Sequence, residues 1–227
     1  MIEIRELVEL PDLVTAVNLQ REIWGFSDLD LLPVRLFVVA TKIGGQVLGA
    51  FDGDRMVGFS IAIPGAKPGG RAFLHSQMMG VVDGYRNAGV GRLLKFRQRE
   101  LALAAGINLI EWTFDPLETK NAYYNIERLG AVVSRYVLNQ YGNTSSKLHA
   151  GLPTDRCIAE WFLDKEKTPV DITARIEVPY EGARTREVQA RISQQFLEHF
   201  RAGRTVVRFE RGETRGAYLL ADKDGLQ

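Results

Sequence analysis

Cysteine is almost missing from this chain: Cys157 is the single one among 227 residues. No intrachain disulfide can form, and metal sites built from several thiolates are excluded, so no metal site is expected. Cys157 stands in Arg156-Cys157-Ile158-Ala159-Glu160-Trp161-Phe162, which reads as a strand. A small buried residue is expected there, not a nucleophile. Long hydrophobic runs are missing too, since no stretch approaches the roughly 18 apolar residues of a membrane span. The opening Met1-Ile2-Glu3-Ile4-Arg5-Glu6 has acids where a secretory signal would place basic residues and then an apolar run. The expectation is a cytoplasmic protein with no membrane partner. Charge of one sign is also lacking. With 29 Lys and Arg against 28 Asp and Glu, the net charge is 29 − 28 = +1. No basic excess is available to neutralise phosphates, so nucleic acid is not expected as a partner.

What is present describes an ordinary folded protein. The chain is 45% apolar and 25% charged, enough apolar surface to offset the entropy of ordering. Ile2 to Val8 alternates like a half-buried strand, and a helix follows from Pro11 to about Trp24. A second helix is expected from Pro33 to before Gly44. Two strands flank the turn Asp52-Gly53-Asp54, and a third, Ala72 to Val82, follows a glycine-rich turn. After that, helix and strand alternate: helix 89 to 105, strand 107 to 114, helix 119 to 129, strands 131 to 138 and 157 to 163. The pattern predicts an α+β fold, a mixed and mostly antiparallel sheet flanked by helices. Residues 1–164 form the expected main domain. Residues 165–227 form an α/β extension of strand, helix and hairpin that packs on it. In that extension Val188, Ile192, Phe196 and Phe200 make a core-facing stripe.

The informative segment is Met78-Met79-Gly80-Val81-Val82-Asp83-Gly84-Tyr85-Arg86-Asn87-Ala88-Gly89-Val90-Gly91-Arg92-Leu93-Leu94. It reads as a strand, a short turn, and a glycine-rich opening to a helix. Such a helix start presents unpaired N–H groups backed by the positive end of the helix dipole, which suits phosphate or pyrophosphate. The dinucleotide pattern Gly-x-Gly-x-x-Gly fails at Leu94, and no Gly-Lys-Ser/Thr follows for a nucleoside triphosphate.

Arg86-x-x-Gly89-x-Gly91 after a strand resembles the acyl-CoA pyrophosphate loop of the GNAT superfamily of N-acyltransferases. The resemblance continues in Asn121-Ala122 ahead of Leu129-Gly130-Ala131, and in the order of elements over residues 1–164. With Asp115-Pro116-Leu117 and Gly151-Leu152-Pro153-Thr154-Asp155-Arg156, the whole chain is similar to a little-characterised bacterial branch with a C-terminal extension, associated with amino-acid N-acylation. The resemblance implies that acetyl-CoA or another acyl-CoA is the co-substrate, with acetyl placed before succinyl. It implies a small-molecule primary amine as acceptor and leaves a homodimer open. Pantetheine would pair with the backbone at Met79 and Val81. The amides of Ala88, Gly89, Gly91 and Arg92 would hold the pyrophosphate, with Arg86 starting the loop, and Asn121 would reach the cofactor or a water. Lys95 and Arg99, on the same helix as Arg92, are read as a solvated face.

The attacking amine must lose a proton, so a base is required. By period two, Phe73, His75, Gln77, Met79 and Val81 share one strand face, and His75 has the intrinsic pKa for the task, with a hydrogen-bonded core histidine as the equal alternative. Glu111, a carboxylate midway along an interior strand, must be paired or functional, and it is the second candidate beside a structural salt bridge. For the leaving thiolate, the tyrosine that the resemblance implies falls on Ile126, so Tyr124, one turn back, is the substitute candidate. The missing tyrosine motivates a second reading, a non-catalytic acyl-CoA sensor or scaffold. The loop from Tyr141 to Asp155, with Lys147 and His149, is expected to shape a substrate pocket, and Asp155-Arg156 either to meet an anionic or zwitterionic substrate or, more simply, to form a local turn-stabilising pair.

Overall fold

The computed structural model describes residues 1–142, 151–165 and 169–222. Lys147 and His149 of the expected pocket loop lie outside the described residues. Among the described residues no helix is long and apolar enough to cross a membrane. The described chain falls into two compact units that divide between Ile110 and Glu111.

The first unit opens with strand β1 (Ile2–Glu6), followed by helices α1 (Leu10–Trp24) and α2 (Val34–Lys42). Strands β2 (Gln46–Asp52), β3 (Arg55–Ala66) and β4 (Ala72–Val81) come next, and α3 (Val90–Ala104) closes it. Neighbouring strands pair antiparallel in the order β1-β2-β3-β4. Pro11 sits in the first turn of α1, where a missing N–H costs nothing, and Gly25 ends that helix in the left-handed region at φ 66°. Phe37 of α2 and Trp24 of α1 meet Phe59 of β3, in a core with Leu13, Leu48, Val57 and Ile61. Trp24 lies so close to β4 that a Cβ on Gly80 would come within 2.5 Å of its ring. Only glycine fits there.

The second unit takes in most of β5 (Leu109–Phe114), then the short helix α4 (Thr119–Tyr123), β6 (Val132–Val137) and β7 (Arg156–Phe162). It continues through β8 (Ala174–Pro179), α5 (Arg186–Arg201), β9 (Arg204–Arg211) and β10 (Arg215–Asp222). Its strands lie in the order β5-β7-β6-β9-β10-β8, with β6–β7, β6–β9, β9–β10 and β8–β10 antiparallel.

The expected boundary near residue 164 is not where the compact units divide. Residues 169–222 share a core with residues 111–142 and 151–163. Val133 of β6 pairs with Val206 of β9, and Phe196 of α5 stacks on Tyr136 of β6 at 5.0 Å and meets Tyr218 of β10 edge-on. Ile192 and Phe196 of the α5 stripe are fully buried, as their spacing predicts.

Candidate active site

In the first unit the site begins on β4. Its register against β3 runs Phe59↔Gly80, Ser60↔Met79 and Ile61↔Met78, and then slips to Ala62↔Ser76. Gln77 is therefore an extra residue, a β-bulge. A bulge reverses the in–out alternation beyond it, and the neighbours show the reversal. Ser76 meets Lys95 of α3, and the Met79 methyl lies on the α3 side, 3.6 Å from where a Gly91 Cβ would stand. Gly80 faces Trp24 of α1. The single face expected for Phe73, His75, Gln77, Met79 and Val81 is thus corrected. His75 pairs with Ile63 before the bulge, on the face opposite Ser76, while Met79 comes after it, on the α3 side.

The backbone of β4 follows from one bond. The Val82 N–H donates to the Val57 carbonyl at 3.0 Å. Antiparallel ladders alternate, so Met78, Gly80 and Val82 spend their polar groups on β3, while Met79 and Val81 turn theirs away from it.

From Val82 the chain makes a single 3-10 turn, Asp83–Tyr85, and Tyr85 donates to Asp52 at 2.8 Å. Arg86 then acts as a brace. Its guanidinium pairs with Asp83 at 2.7 Å, its Nε donates to the Val81 carbonyl at 3.2 Å, and it reaches the Ile23 carbonyl at the end of α1. Asn87 and Gly89 both take positive φ, 63° and 84°. Gly89 is the N-cap of α3 and makes no side-chain cap, so the first amides of the helix are left for another acceptor. Ala88, Gly89 and Arg92 are exposed and Gly91 is half-buried. A loop and helix start of this kind can cradle an anion.

Beneath this loop lies a group the sequence reading misplaced. Lys95 is not on a solvated face but 3% exposed, with Nζ donating to Ser76 Oγ at 2.8 Å and to Gln98 Oε1 at 3.2 Å. Desolvation lowers its pKa to about 7. The signal was present in the spacing: Leu94, Lys95, Gln98 and Ala102 form a helical core stripe, with a lysine in it. Arg99 is half-buried.

In the second unit Glu111 is 3% exposed, and Arg135 donates to it at 2.5 Å. The same guanidinium reaches Glu160 of β7 at 3.3 Å, and Ser134, the bulged residue of β6, also bonds Glu160. Glu111 thus sits in a paired, buried network, the arrangement that burial of a carboxylate requires. Replacing Arg135 by Met would take one partner from each of Glu111 and Glu160, and because Arg135 is itself 41% exposed a loss of about 1–3 kcal/mol in urea unfolding is expected. A loss under 1 kcal/mol would show that the network carries little.

The helix expected over residues 119 to 129 is not uniform. α4 gives way after Tyr123 to a π-helical turn, Tyr124–Arg128, closed by Leu129 N–H donating to the Tyr124 carbonyl at 3.0 Å. Such turns insert one residue and rotate the side chains beyond it, and they recur at functional sites. No spacing rule marks one in advance. Asn121 is exposed, Tyr124 half-buried and Ile126 fully buried. Farther along, the Asp155 carboxylate is occupied by the Asn139 N–H at 2.9 Å and the Ser193 hydroxyl at 2.6 Å. Burial lowers the Arg156 pKa, opposed by Asp115. The Cys157 thiol is fully buried and its pKa pushed up by desolvation.

No family model matches this chain, and no curated protein does. Solved structures do. The GNAT-family acetyltransferase of Streptococcus pneumoniae is 19% identical, with 71% of this chain and 99% of that one covered and a TM-score of 0.56. The ribosomal-protein-S18-alanine N-acetyltransferase of Escherichia coli is 15% identical over 75% of this chain and 99% of its own, with a TM-score of 0.57. YncA of Salmonella typhimurium, solved with its cofactor acetyl-CoA, is 16% identical over 74% and 97%, also at 0.57. The fold is therefore that of the GNAT acetyltransferases, a mixed, mostly antiparallel sheet flanked by helices, with additional strands and a helix toward the C-terminus.

Proposed function

We propose that this protein is an acyl-CoA-dependent N-acyltransferase that moves an acetyl group, with succinyl as the other candidate, to the primary amine of a small molecule such as an amino acid. The observation that carries the reading is the strand–loop–helix of the first unit. Met79 and Val81 turn backbone groups away from β3, the loop is braced by Arg86, and α3 opens on an uncapped Gly89. That combination suits a pantetheine arm followed by a pyrophosphate, with the amides of Ala88, Gly89, Gly91 and Arg92 as donors. The fold shared with acetyltransferases supports it.

In the reaction the neutral amine attacks the thioester carbonyl, the C–N bond forms, and the C–S bond breaks to release thiolate. A base takes one amine proton and the thiolate receives one. His75 is the first base candidate and Glu111, tied to Arg135, the second. Asn121 would hold the cofactor or a water, and Tyr124 is the proton donor proposed in place of the residue missing at Ile126. The burial of Ile126 favours the sensor reading to this extent, that no hydroxyl stands at that position.

Native mass spectrometry of the purified protein tests the cofactor. A co-purified acyl-CoA is expected, and its mass names the acyl group; nucleoside triphosphate alone would overturn the reading. Steady release of free CoA with a panel of amines, lost in His75→Ala, separates the enzyme from the sensor.

A further inference from the structure

Helix α4 has five residues and then a π turn, neither of which holds its shape unaided. Something must fix this segment, and the contacts come from the C-terminal part of the second unit. On the approach to α4, Arg184 pairs with Asp115 at 3.3 Å and also bonds Glu118, while the buried Tyr218 hydroxyl donates to the Pro116 carbonyl at 2.7 Å. On the π turn itself, the Glu127 carboxylate accepts the Phe209 backbone N–H at 2.7 Å and the Arg208 Nε at 3.1 Å. The Arg211 guanidinium covers the Tyr123 ring at 3.7 Å. Arg184 precedes α5, Arg208, Phe209 and Arg211 are on β9, and Tyr218 is on β10. Both ends of the segment that carries Asn121 and Tyr124 are therefore gripped by residues 184–218.

We propose that this C-terminal part is a clamp that sets the conformation of α4 and its π turn, with Glu127 as the positioning residue through which β9 holds the turn bearing Tyr124. The geometric claim stands by itself; its consequence for turnover rests on the acyltransferase reading of Asn121 and Tyr124. Glu127 spends its carboxylate on Arg208 and Phe209 of β9. A glutamine there keeps an oxygen for the Phe209 N–H, whereas an alanine removes it.

The test is hydrogen–deuterium exchange on the full chain, with CoA release measured in parallel, for Glu127→Ala, Glu127→Gln and Arg211→Ala. In Glu127→Ala, amides 119–131 are expected to exchange on the order of tenfold faster or more, as loss of a charge-assisted hydrogen bond implies. Arg211→Ala, an exposed position, should produce a smaller acceleration in the same segment, and Glu127→Gln should restore most of the protection. kcat should fall in Glu127→Ala more than the KM for acetyl-CoA rises, because most of the proposed cofactor contacts belong to the first unit and only Asn121 rides on the clamped segment. Wild-type exchange rates at 119–131 in Glu127→Ala would overturn the clamp, as would an equal acceleration across the whole second unit. If the wild type releases no CoA with any amine, the acyltransferase reading fails, and the exchange pattern still decides the clamp.

Discussion

Lys95→Met is expected to make the protein more stable at pH 7, by about 2–4 kcal/mol. The folded state buries this amine 3% exposed and lowers its pKa to about 7, against 10.5 for an ordinary lysine. Between those two values the unfolded chain holds a proton that the folded chain has released, so wild-type stability rises with pH across that window and reaches its full value only near its top. Below about pH 7 both states are protonated, and the folded protein carries the desolvation cost of the buried ammonium, offset in part by the groups around it. A shift of this size corresponds to roughly 4–5 kcal/mol, from which the variant loses the hydrogen bonds to Ser76 and Gln98, worth about 1 kcal/mol each. Methionine has a similar length and no charge to desolvate. Urea unfolding of both proteins at pH 7 and pH 10 checks the sign and the slope. A variant less stable at pH 7, or with the wild-type pH slope, would show that the amine is held charged by its surroundings.

Gly91→Asp should move folding and binding in opposite directions. Gly91 is the second residue of α3, with no left-handed φ, and a Cβ there would meet only the Met79 methyl at 3.6 Å. Replacing glycine inside a helix and placing an acid in the first turn both favour the fold, together by about 0.5–1.5 kcal/mol. The same carboxylate stands where the proposed pyrophosphate would bind. At an effective dielectric near 20, like charges about 4 Å apart repel by several kcal/mol, so acetyl-CoA affinity should fall about a hundredfold or more. Calorimetric titration and thermal unfolding of one preparation give both numbers. Gly91→Ala is the control, with affinity near wild type. Unchanged binding in Gly91→Asp would remove α3 from the cofactor site.

The strand–loop–helix of the first unit could be read from residues because its physics is local. Gly89 at φ 84° and the uncapped start of α3 depend on a few consecutive positions, and a strand followed by Gly-x-Gly is enough to suggest them. The alternation that marks β1, the turn residues that bound β2 to β4, and the α5 stripe from Val188 to Phe200 are local in the same sense. The two faces of β4 were not. A period-two count carries His75 and Met79 onto one side, but the extra residue at Gln77 is visible only in the register against β3, where Ile61 pairs with Met78 and Ala62 with Ser76. The π turn at Tyr124–Arg128 escaped for a related reason, since one inserted residue changes the hydrogen-bond ladder without changing composition. Lys95 was outvoted by its residue type, though its spacing with Leu94 and Gln98 already placed it inward.

By itself, the sequence determined the α+β class, the strand–loop–helix that can cradle an anion, and the exclusion of disulfides and multi-thiolate metal sites, each because it follows from residue type and short-range spacing. Only the tertiary structure decided that residues 169–222 share one core with residues 111–142 and 151–163, and that Glu111 is answered by Arg135 and Tyr123 by Arg211. Those partners lie 24 and 88 residues away along the chain (135 − 111 and 211 − 123). No local periodicity encodes such a distance; pairing of strands and burial of side chains across the second unit set it.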